Sequence, residues 1–442
     1  MKNNFKLAIN GGEKIRKNKF PAHITIGIEE LENVKRVFDN HIFSRFLGSY
    51  HENFYGGDEV QSLEKEWANY YGVKHAIAVN SATSGLYCAV GSLDIEPFDE
   101  IIVSPYTMCA SATAPLIYNA IPVFADVEKE YFCLDIKSIE ERITEKTKAI
   151  IVVDILGQPY NTEINELAHK HGIKVIEDCA QAPFAKYKDK FAGTLGDIGV
   201  YSLNYHKHIH CGEGGIIVTN DDDIAIRLKL IRNHAEAVVS GMNMSKLNNL
   251  FGFNYRMTEL EAAVARGQLK KLKELVEIRR ENIKYIEEKL SNLPCISFGK
   301  VRNDSTHSYY VHAVFYNERE TGVDIDIFLK AVSYELDFIT LREKEGIKIH
   351  RIGNPLYTLP MYQEKIAYGT KGFPWNMAEK INNKVYDYSD GICPNMENIR
   401  KEGLFYHEYM YPGMTKGDLD DFCNAFIKVY ENIDELKLEK NL

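Results

Sequence analysis

The chain has 442 residues, of which 45% are hydrophobic and 26% charged, a composition typical of a globular protein long enough for two domains. Its formal net charge of -10 argues against nucleic acid or an anionic membrane as the main partner, because both attract a basic surface. No segment has the pattern of a signal peptide or a membrane span, so we expect a cytoplasmic protein. The eight cysteines are widely spaced and indicate neither a disulfide framework nor a zinc site, and we predict no bound metal.

The first part of the chain alternates between helical and strand patterns. Helical patterns at residues 29–39 and 60–71 flank an aromatic segment, 43–57, which could pack in the core or line a pocket, and we favour packing. Short apolar segments then recur between helical patterns, as is typical of a mostly parallel sheet covered on both faces. The predicted strands are 76–79, 100–103, 122–124, 149–153, 174–176, 199–203 and 215–219.

The pattern changes near Met257, where apolar residues recur at helical spacing along one long helix. We place a domain boundary here, which gives a large domain of residues 1–256 and a smaller α+β domain of residues 257–442. The smaller domain contains an alternating stretch at 309–315, typical of a strand, and ends in a predicted helix at 416–436.

Lys207 lies on a tight connection between two predicted buried strands, so we expect its amine to point into the fold. In a partly apolar pocket the pKa of a lysine falls, and the free amine can form a Schiff base with a carbonyl compound. A solvated surface lysine is the simpler interpretation of this residue alone. The other strand ends decide between the two interpretations.

Ligands of open α/β sheets bind beyond the carboxyl ends of the strands. Ala82 and Thr83 follow the first predicted strand and begin a helix whose free N–H groups suit a phosphate, although a plain N-cap explains the same residues. Asp178 follows another strand, where a buried carboxylate needs a cation such as a protonated pyridine nitrogen, or else a structural ion pair. Ser202 lies close to Lys207 in sequence, within reach of the same phosphate.

Asn254 and Arg256 are polar residues at the start of the long helix, where an interface or a pocket could use them. Capping of that helix by Thr258 explains part of the stretch without any function.

Together these stretches resemble the DegT family of sugar aminotransferases, which are pyridoxal-phosphate enzymes of the aspartate aminotransferase fold, fold type I. The resemblance runs from about residue 60 to 272 and continues more weakly to Cys393-Pro394 and the C-terminal helix. It implies an α/β large domain with a mostly parallel seven-stranded sheet and a smaller α+β domain.

The resemblance also implies roles for individual residues. Lys207 forms the Schiff base with pyridoxal 5′-phosphate, Asp178 pairs with the pyridine nitrogen, and Gln181 approaches the ring hydroxyl. The enzyme is expected to be a homodimer with shared active sites, in which the phosphate is held by Ala82, Thr83, Ser202 and, from the neighbouring subunit, Asn254.

Two positions depart from the family pattern. The family usually places an aromatic ring on the cofactor at the position that is Met108 here, so either the thioether or the nearby Tyr106 covers the ring. Ala82 stands where the family mostly has glycine, which weakens the argument for phosphate binding slightly.

The resemblance implies transfer of an amino group from glutamate or glutamine to a keto sugar or cyclitol, in surface glycan or amino-sugar biosynthesis. Residues 7–12 and the region of Cys393 look like the branch that acts on inosose rings, whereas most of the family acts on nucleotide-linked keto sugars. Related dehydratases carry histidine in place of the lysine, so Lys207 favours transamination over that alternative. A non-catalytic regulator is a third interpretation, against which the intact set of Lys207, Asp178 and Gln181 argues.

Overall fold

A computed structural model describes residues 6–242, 244, 246–336, 339–340, 346–347 and 349–437. In chain order the strands are β1 (His75–Val79), β2 (Glu100–Val103), β3 (Ile121–Phe124), β4 (Thr147–Val153), β5 (Lys174–Asp178), β6 (Lys186–Tyr187), β7 (Lys190–Phe191), β8 (Ile198–Ser202), β9 (Gly215–Thr219), β10 (Ile296–Phe298), β11 (Ser305–Thr306), β12 (His312–Tyr316), β13 (Ile339–Thr340), β14 (Gly346–Ile347), β15 (His350–Arg351) and β16 (Leu404–His407). The α-helices are α1 (Ile28–Asn40), α2 (Asp58–Tyr71), α3 (Ala82–Ser92), α4 (Cys109–Thr113), α5 (Ile136–Glu140), α6 (Glu163–Lys170), α7 (Asp222–Arg232), α8 (Glu259–Leu290), α9 (Glu318–Thr321), α10 (Ile325–Glu335), α11 (Pro360–Gln363), α12 (Trp375–Asn382), α13 (Pro394–Lys401), α14 (Lys416–Glu431) and α15 (Asp434–Lys437).

The large sheet contains seven strands in the order β1-β9-β8-β5-β4-β2-β3. Neighbouring strands from β8 to β3 run parallel, whereas β9 runs antiparallel between β1 and β8. The strands are short and apolar because helices cover both faces of the sheet, which buries successive side chains on both sides. The prediction of a mostly parallel seven-stranded sheet is confirmed, and each predicted strand is present.

The predicted helices at 29–39 and 60–71 correspond to α1 and α2. The long helix predicted near Met257 is α8, and Thr258 caps it, since its Oγ1 accepts a hydrogen bond from Glu261 N at 3.3 Å. The helix predicted at 416–436 is interrupted: α14 ends at Glu431, and α15 begins after a short turn in which Asn432 N donates to Lys428 O at 3.1 Å.

The second sheet has the strand order β10-β12-β16-β15 and packs against α10 and α14 in a separate hydrophobic core. Leu7 and Phe20, from the N-terminal segment, are buried in this same core. Helix α8 contacts α1 and α2 as well as α14, so it connects this core to the one between α2 and the large sheet. The division into residues 1–256 and 257–442 stays a prediction.

Within the described residues, no helix combines the length and apolar character that a membrane span requires. The same residues contain no cluster of histidine, cysteine, aspartate and glutamate side chains suited to a metal ion.

Two fully buried carboxyl groups, those of Asp154 and Glu177, lie at the carboxyl ends of β4 and β5. Backbone N–H groups of Gly193, Leu195 and Gly196 donate to the Glu177 carboxylate at 2.6, 2.8 and 3.1 Å, which stabilises it as an anion. Burial raises the pKa of Asp154 well above its usual range, and the neighbouring charge of Glu177 adds to the rise. Asp154 therefore binds its proton more tightly in the folded protein than an exposed aspartate does.

Replacing Asp154 with Asn should make stability less dependent on pH. The unfolded chain releases the Asp154 proton above about pH 4, whereas the folded state holds it up to a higher pH, so between these two pKa values this group lowers the free energy of unfolding by about 1.4 kcal/mol per pH unit as pH rises. Urea unfolding between about pH 5 and pH 8 measures the slope, and Asp58→Asn, at an exposed side chain, is the control. Equal slopes for wild type and Asp154→Asn would contradict a raised pKa of Asp154 in the folded protein.

Candidate active site

A cavity of about 270 Å³ lies at the carboxyl ends of the central strands. It collects side chains that follow several different strands, as expected for the ligand site of an open α/β sheet. The predicted site residues that line it are Ala82, Thr83, Met108, Asp178, Gln181, Ser202 and Lys207.

Lys207 lies on the connection between β8 and β9, as the strand pattern predicted. Backbone hydrogen bonds close this connection at its base, where Leu203 N donates to Gly214 O at 2.9 Å and Cys211 N donates to Leu203 O at 3.1 Å. The lysine is only 8% exposed, so its amine is directed into the cavity rather than into solvent. Ser202 is the last residue of β8 and faces the same cavity.

The electrostatic surroundings of Lys207 keep part of its amine uncharged. Burial lowers the pKa of Lys207 to about 8, while the carboxylates of Asp178 and Glu408 act in the opposite direction. Its Nζ lies 4.2 Å from the centroid of the Tyr310 ring. Near neutral pH the site therefore contains a measurable fraction of nucleophilic free amine.

Asp178 is the last residue of β5, and its carboxylate is buried. Ser111 Oγ donates to Oδ2 at 2.6 Å, and Ala180 N donates to Oδ1 at 3.2 Å. Burial raises the pKa of Asp178, and the two hydrogen bonds and the charge of Lys207 oppose that rise. The carboxylate is thus held in place and suited to a cationic partner within the cavity.

Gln181 lines the cavity in the turn that follows β5. Its Oε1 accepts a hydrogen bond from Leu156 N at 2.7 Å, which fixes the orientation of the side-chain amide. Because the oxygen is engaged with the backbone, the amide nitrogen is the group that Gln181 can offer to a ligand.

The N-terminus of α3 forms another wall of the cavity. Ser81 caps the helix by accepting a hydrogen bond from Ser84 N at 3.0 Å, and the N–H groups of Ala82 and Thr83 begin the first turn, where a helix has no acceptor of its own for them. Gly215, at the start of β9, packs directly on this turn, because a Cβ there would lie 2.6 Å from Ala82 N. This helix end suits an anionic group such as a phosphate.

Met108 and Tyr106, the two candidates for covering a bound ring, lie in different surroundings. Met108 lines the cavity, and 64% of its surface is exposed. Tyr106 turns towards Phe132, with ring centroids 6.4 Å apart, and its hydroxyl is buried. The position of Met108 at the cavity mouth favours the thioether as the cover, and that role stays a prediction.

Asn254 lies apart from the other predicted residues. Its side chain is exposed, and its Oδ1 accepts a hydrogen bond from Arg256 Nε at 2.7 Å. Among the described residues, those that line the cavity do not include Asn254. A role in phosphate binding therefore requires the cavity of another subunit, and it stays a prediction.

The structure adds site residues that sequence reasoning missed. Ser111 lies on α4 and Tyr310 precedes β12, while Glu408 follows β16; all three contact or influence Asp178 or Lys207. Ser111 lies one helical turn beyond Met108, and this spacing was the available signal for it. Tyr310 and Glu408 come from more than 100 residues away along the chain, and no local pattern indicates them.

Three features together define the fold type I class of pyridoxal-phosphate transferases. They are a mixed seven-stranded sheet, a lysine between two of its strands, and a smaller α+β unit joined through one long helix. Within this class, the chain belongs to the DegT/DnrJ/EryC1/StrS aminotransferase family, whose sequence model matches residues 49–398. The family resemblance and the aminotransferase class predicted from the motifs are confirmed.

Two curated relatives differ in the compound that their names give. GDP-perosamine synthase of Caulobacter vibrioides is 34% identical over 310 residues, which cover 69% of this chain and 79% of that protein. The L-glutamine:2-deoxy-scyllo-inosose aminotransferase of Streptomyces kanamyceticus is 28% identical over 439 residues, which cover 97% of each chain. One name refers to a nucleotide-linked sugar and the other to a cyclitol ketone.

The X-ray structure of an aminotransferase from Psychrobacter cryohalolentis has the same fold. It superposes with a TM-score of 0.77 at 26% identity and covers 94% of this chain and 100% of that one. The whole of that enzyme therefore has a counterpart in the present chain.

Replacing Ser111 with Ala should destabilise the cofactor-free protein. The buried Asp178 carboxylate would lose its 2.6 Å hydrogen bond, and a lost hydrogen bond to a charged group costs about 1 to 3 kcal/mol. Thr113→Ala is the control, since that hydroxyl donates to a carbonyl on the same helix at 3.3 Å. Urea unfolding compares the variants, and equal losses of stability for both would argue against a special role for Ser111.

Proposed function

We propose that this protein binds pyridoxal 5′-phosphate and transfers an amino group from glutamate or glutamine to the carbonyl of a keto sugar or cyclitol. The observation that carries the proposal is the shared cavity of Lys207 and Asp178, in which a buried amine and a buried carboxylate lie at the carboxyl ends of the strands. A buried amine of lowered pKa suits covalent and proton-transfer chemistry at a carbonyl group.

The residues present fit the cofactor. The phosphate would bind at the N-terminus of α3, through Ala82 and Thr83, with the hydroxyl of Ser202 on the other side. Asp178 would pair with the pyridine nitrogen and Gln181 would approach the ring hydroxyl. When bound, the cofactor supplies an aldehyde that condenses with amines and a protonated ring that accepts electron density.

The chain itself supplies proton transfer and orientation. Lys207, with a pKa of about 8, can take a proton from one carbon and deliver it to another, because the charged and uncharged amine are of similar free energy near neutral pH. The Asp178 carboxylate, held by Ser111, would stabilise the positive charge on the pyridine nitrogen of the bound cofactor. Both side chains are buried, which strengthens the interaction between them.

A dehydratase of the same fold is the alternative enzyme function, and the residue types favour transamination. The reactive position is a lysine, which can bond covalently to a carbonyl, whereas histidine cannot. The adjacent His208 is not positioned to replace it, since this ring is fully buried and its Nε2 donates to Ser308 O at 2.9 Å. His206 does line the cavity, so an assay must distinguish transfer of the amino group to the product from dehydration.

We further propose a homodimer, on the basis of helix α1. Its inner face, including Val37, is buried against α8, yet its outer face carries Ile28, Leu31 and Phe38, which are 69%, 62% and 53% exposed. A helix with apolar side chains on opposite faces is typical of burial on both sides. A second copy of the chain would cover the outer face and bring Asn254 to the neighbouring cavity.

The proposed acceptors fall into two chemical classes. One relative is named for a nucleotide-linked sugar and another for a cyclitol ketone, so both classes belong in a test. We expect a product of surface glycan or amino-sugar biosynthesis, because the motifs resemble that group of enzymes.

Replacing Lys207 with Ala should abolish transamination while cofactor binding persists, because the covalent anchor is lost and the phosphate contacts remain. Turnover with glutamate or glutamine and a panel of keto sugars, keto sugar phosphates and inososes should fall by about 100- to 10,000-fold. Borohydride reduction should attach the cofactor to Lys207 in the wild-type protein and leave the variant unmodified.

Lys229→Ala is the matched control, since it removes a half-buried lysine on α7. Comparable turnover in the Lys207→Ala variant would show that this lysine is not the reactive group. Consumption of the keto sugar without nitrogen incorporation would favour the dehydratase, and no single turnover with any amino donor would favour a non-catalytic regulator.

Subunit mixing tests the shared site. A Lys207→Ala subunit paired with an Asn254→Asp subunit, whose added carboxylate repels the phosphate, should contain one site with an intact lysine and an intact asparagine from different chains. Such heterodimers should recover about half of the wild-type activity per dimer. A mixture of Lys207→Ala with wild type is the control, and activity that only averages the two parents would mean that Asn254 acts within its own chain.

A further inference from the structure

Tyr310 approaches the reactive amine from the C-terminal half of the chain. It lies in the segment between β11 and β12, and its ring lines the cavity with Lys207 Nζ 4.2 Å from the ring centroid. An ammonium group at this distance from an aromatic face is attracted by the negative charge density of the ring. The ring therefore interacts more strongly with the charged form of the amine than with the neutral form.

The backbone around Tyr310 is fixed to the large sheet. Tyr310 N donates to Leu156 O at 2.9 Å, and Ser308 N donates to Gly157 O at 2.9 Å. Gly157 has φ +108, and a Cβ at that position would lie 2.7 Å from Tyr309 N, so only glycine allows the two segments to approach this closely. The ring of Tyr310 is thus attached to the turn that follows β4.

The same turn also holds Gln181. The N–H group of Leu156 donates to Gln181 Oε1, while its carbonyl oxygen accepts from Tyr310 N. Leu156 itself has φ 61, in the left-handed region that few non-glycine residues adopt. One strained residue therefore positions two side chains that line the cavity. The contact between the Tyr310 ring and Lys207 is thus fixed by the backbone and is not incidental.

Other charged and titratable groups also act on Lys207. Asp178, at the end of β5, and Glu408, after β16, both favour the charged amine, whereas burial opposes it. His208 is held neutral, because burial lowers its pKa well below the usual range. His206 precedes Lys207 and lines the same cavity.

We propose that Tyr310 is a positioning residue that acts through Lys207, holding the ammonium form of the amine against its ring face and thereby increasing the protonated fraction of that amine. The inference rests on the reactive role of Lys207 proposed above. During turnover the lysine must hold a proton between taking it from one carbon and delivering it to another, and the ring stabilises the lysine while it carries that proton.

The test measures protonation of Lys207 directly. The protein is loaded with pyridoxamine 5′-phosphate, which has no aldehyde and so leaves the lysine amine free. Trace labelling with acetic anhydride over a range of pH, followed by peptide mass spectrometry, gives the midpoint at which Lys207 becomes reactive. Lys229, which lies 5.4 Å from the Tyr55 ring centroid, is labelled in the same sample and is an internal control.

Tyr310→Leu should lower the midpoint for Lys207 by about 0.5 to 1.5 pH units, whereas Tyr310→Phe, which keeps the ring face, should leave it unchanged. The midpoint for Lys229 should stay constant in both variants. If the leucine variant does not fold, ring-fluorinated phenylalanine at position 310 replaces it, since fluorine withdraws charge from the ring face at nearly constant shape. A midpoint that is the same in all variants would overturn the inference.

Borohydride trapping of pyridoxal phosphate separates this result from the proposed function. If Lys207 is trapped and its midpoint is independent of residue 310, the inference about Tyr310 is wrong and the function stands. If Lys207 is not trapped in the wild-type protein, both proposals are wrong.

Discussion

Lys207 and Asp178 bring opposite charges into one buried cavity, and each compensates for the burial of the other. Burial lowers the pKa of the amine and raises that of the carboxyl group, while the mutual attraction opposes both shifts. This balance requires a fixed distance between the end of β5 and the connection after β8. Adjacent parallel strands provide it, because the hydrogen-bonded register between β5 and β8 fixes Asp178 opposite Val200, and a one-residue slip would turn every side chain of the strand to the other face of the sheet.

The remaining walls are built on rigid elements for the same reason. Gly215 allows β9 to touch the first turn of α3, so the helix end that suits a phosphate is fixed relative to the lysine connection. Ser111 extends from α4 to hold the Asp178 carboxylate. A cofactor with a phosphate at one end and a ring nitrogen at the other needs such spacing, and groups that are already in position lose little entropy on binding.

The site also depends on parts of the chain far from the sheet. The turn at Leu156 and Gly157 holds the segment of Tyr310 against the large domain, and Glu408 adds a negative charge near the amine. In the dimer that we propose, the exposed apolar face of α1 would extend this dependence to a second copy of the chain. The reactive amine and its carboxylate partner thus lie at the edge of the sheet, while segments distant in sequence orient them and balance their charges.

The sequence by itself determined the seven strands of the large sheet and the helices α1, α2 and α8, because a period of two or of 3.6 residues is a local property of buried segments. It also predicted that Lys207, Asp178 and the start of α3 lie close together, since residues that follow parallel strands meet at one edge of the sheet. Only the tertiary structure decided that Met108 rather than Tyr106 lines the cavity, that the pKa of Asp154 is raised beside Glu177, and that Tyr310 contacts the lysine. These outcomes depend on distances between residues far apart in the chain, and burial and charge proximity arise only when those segments pack together.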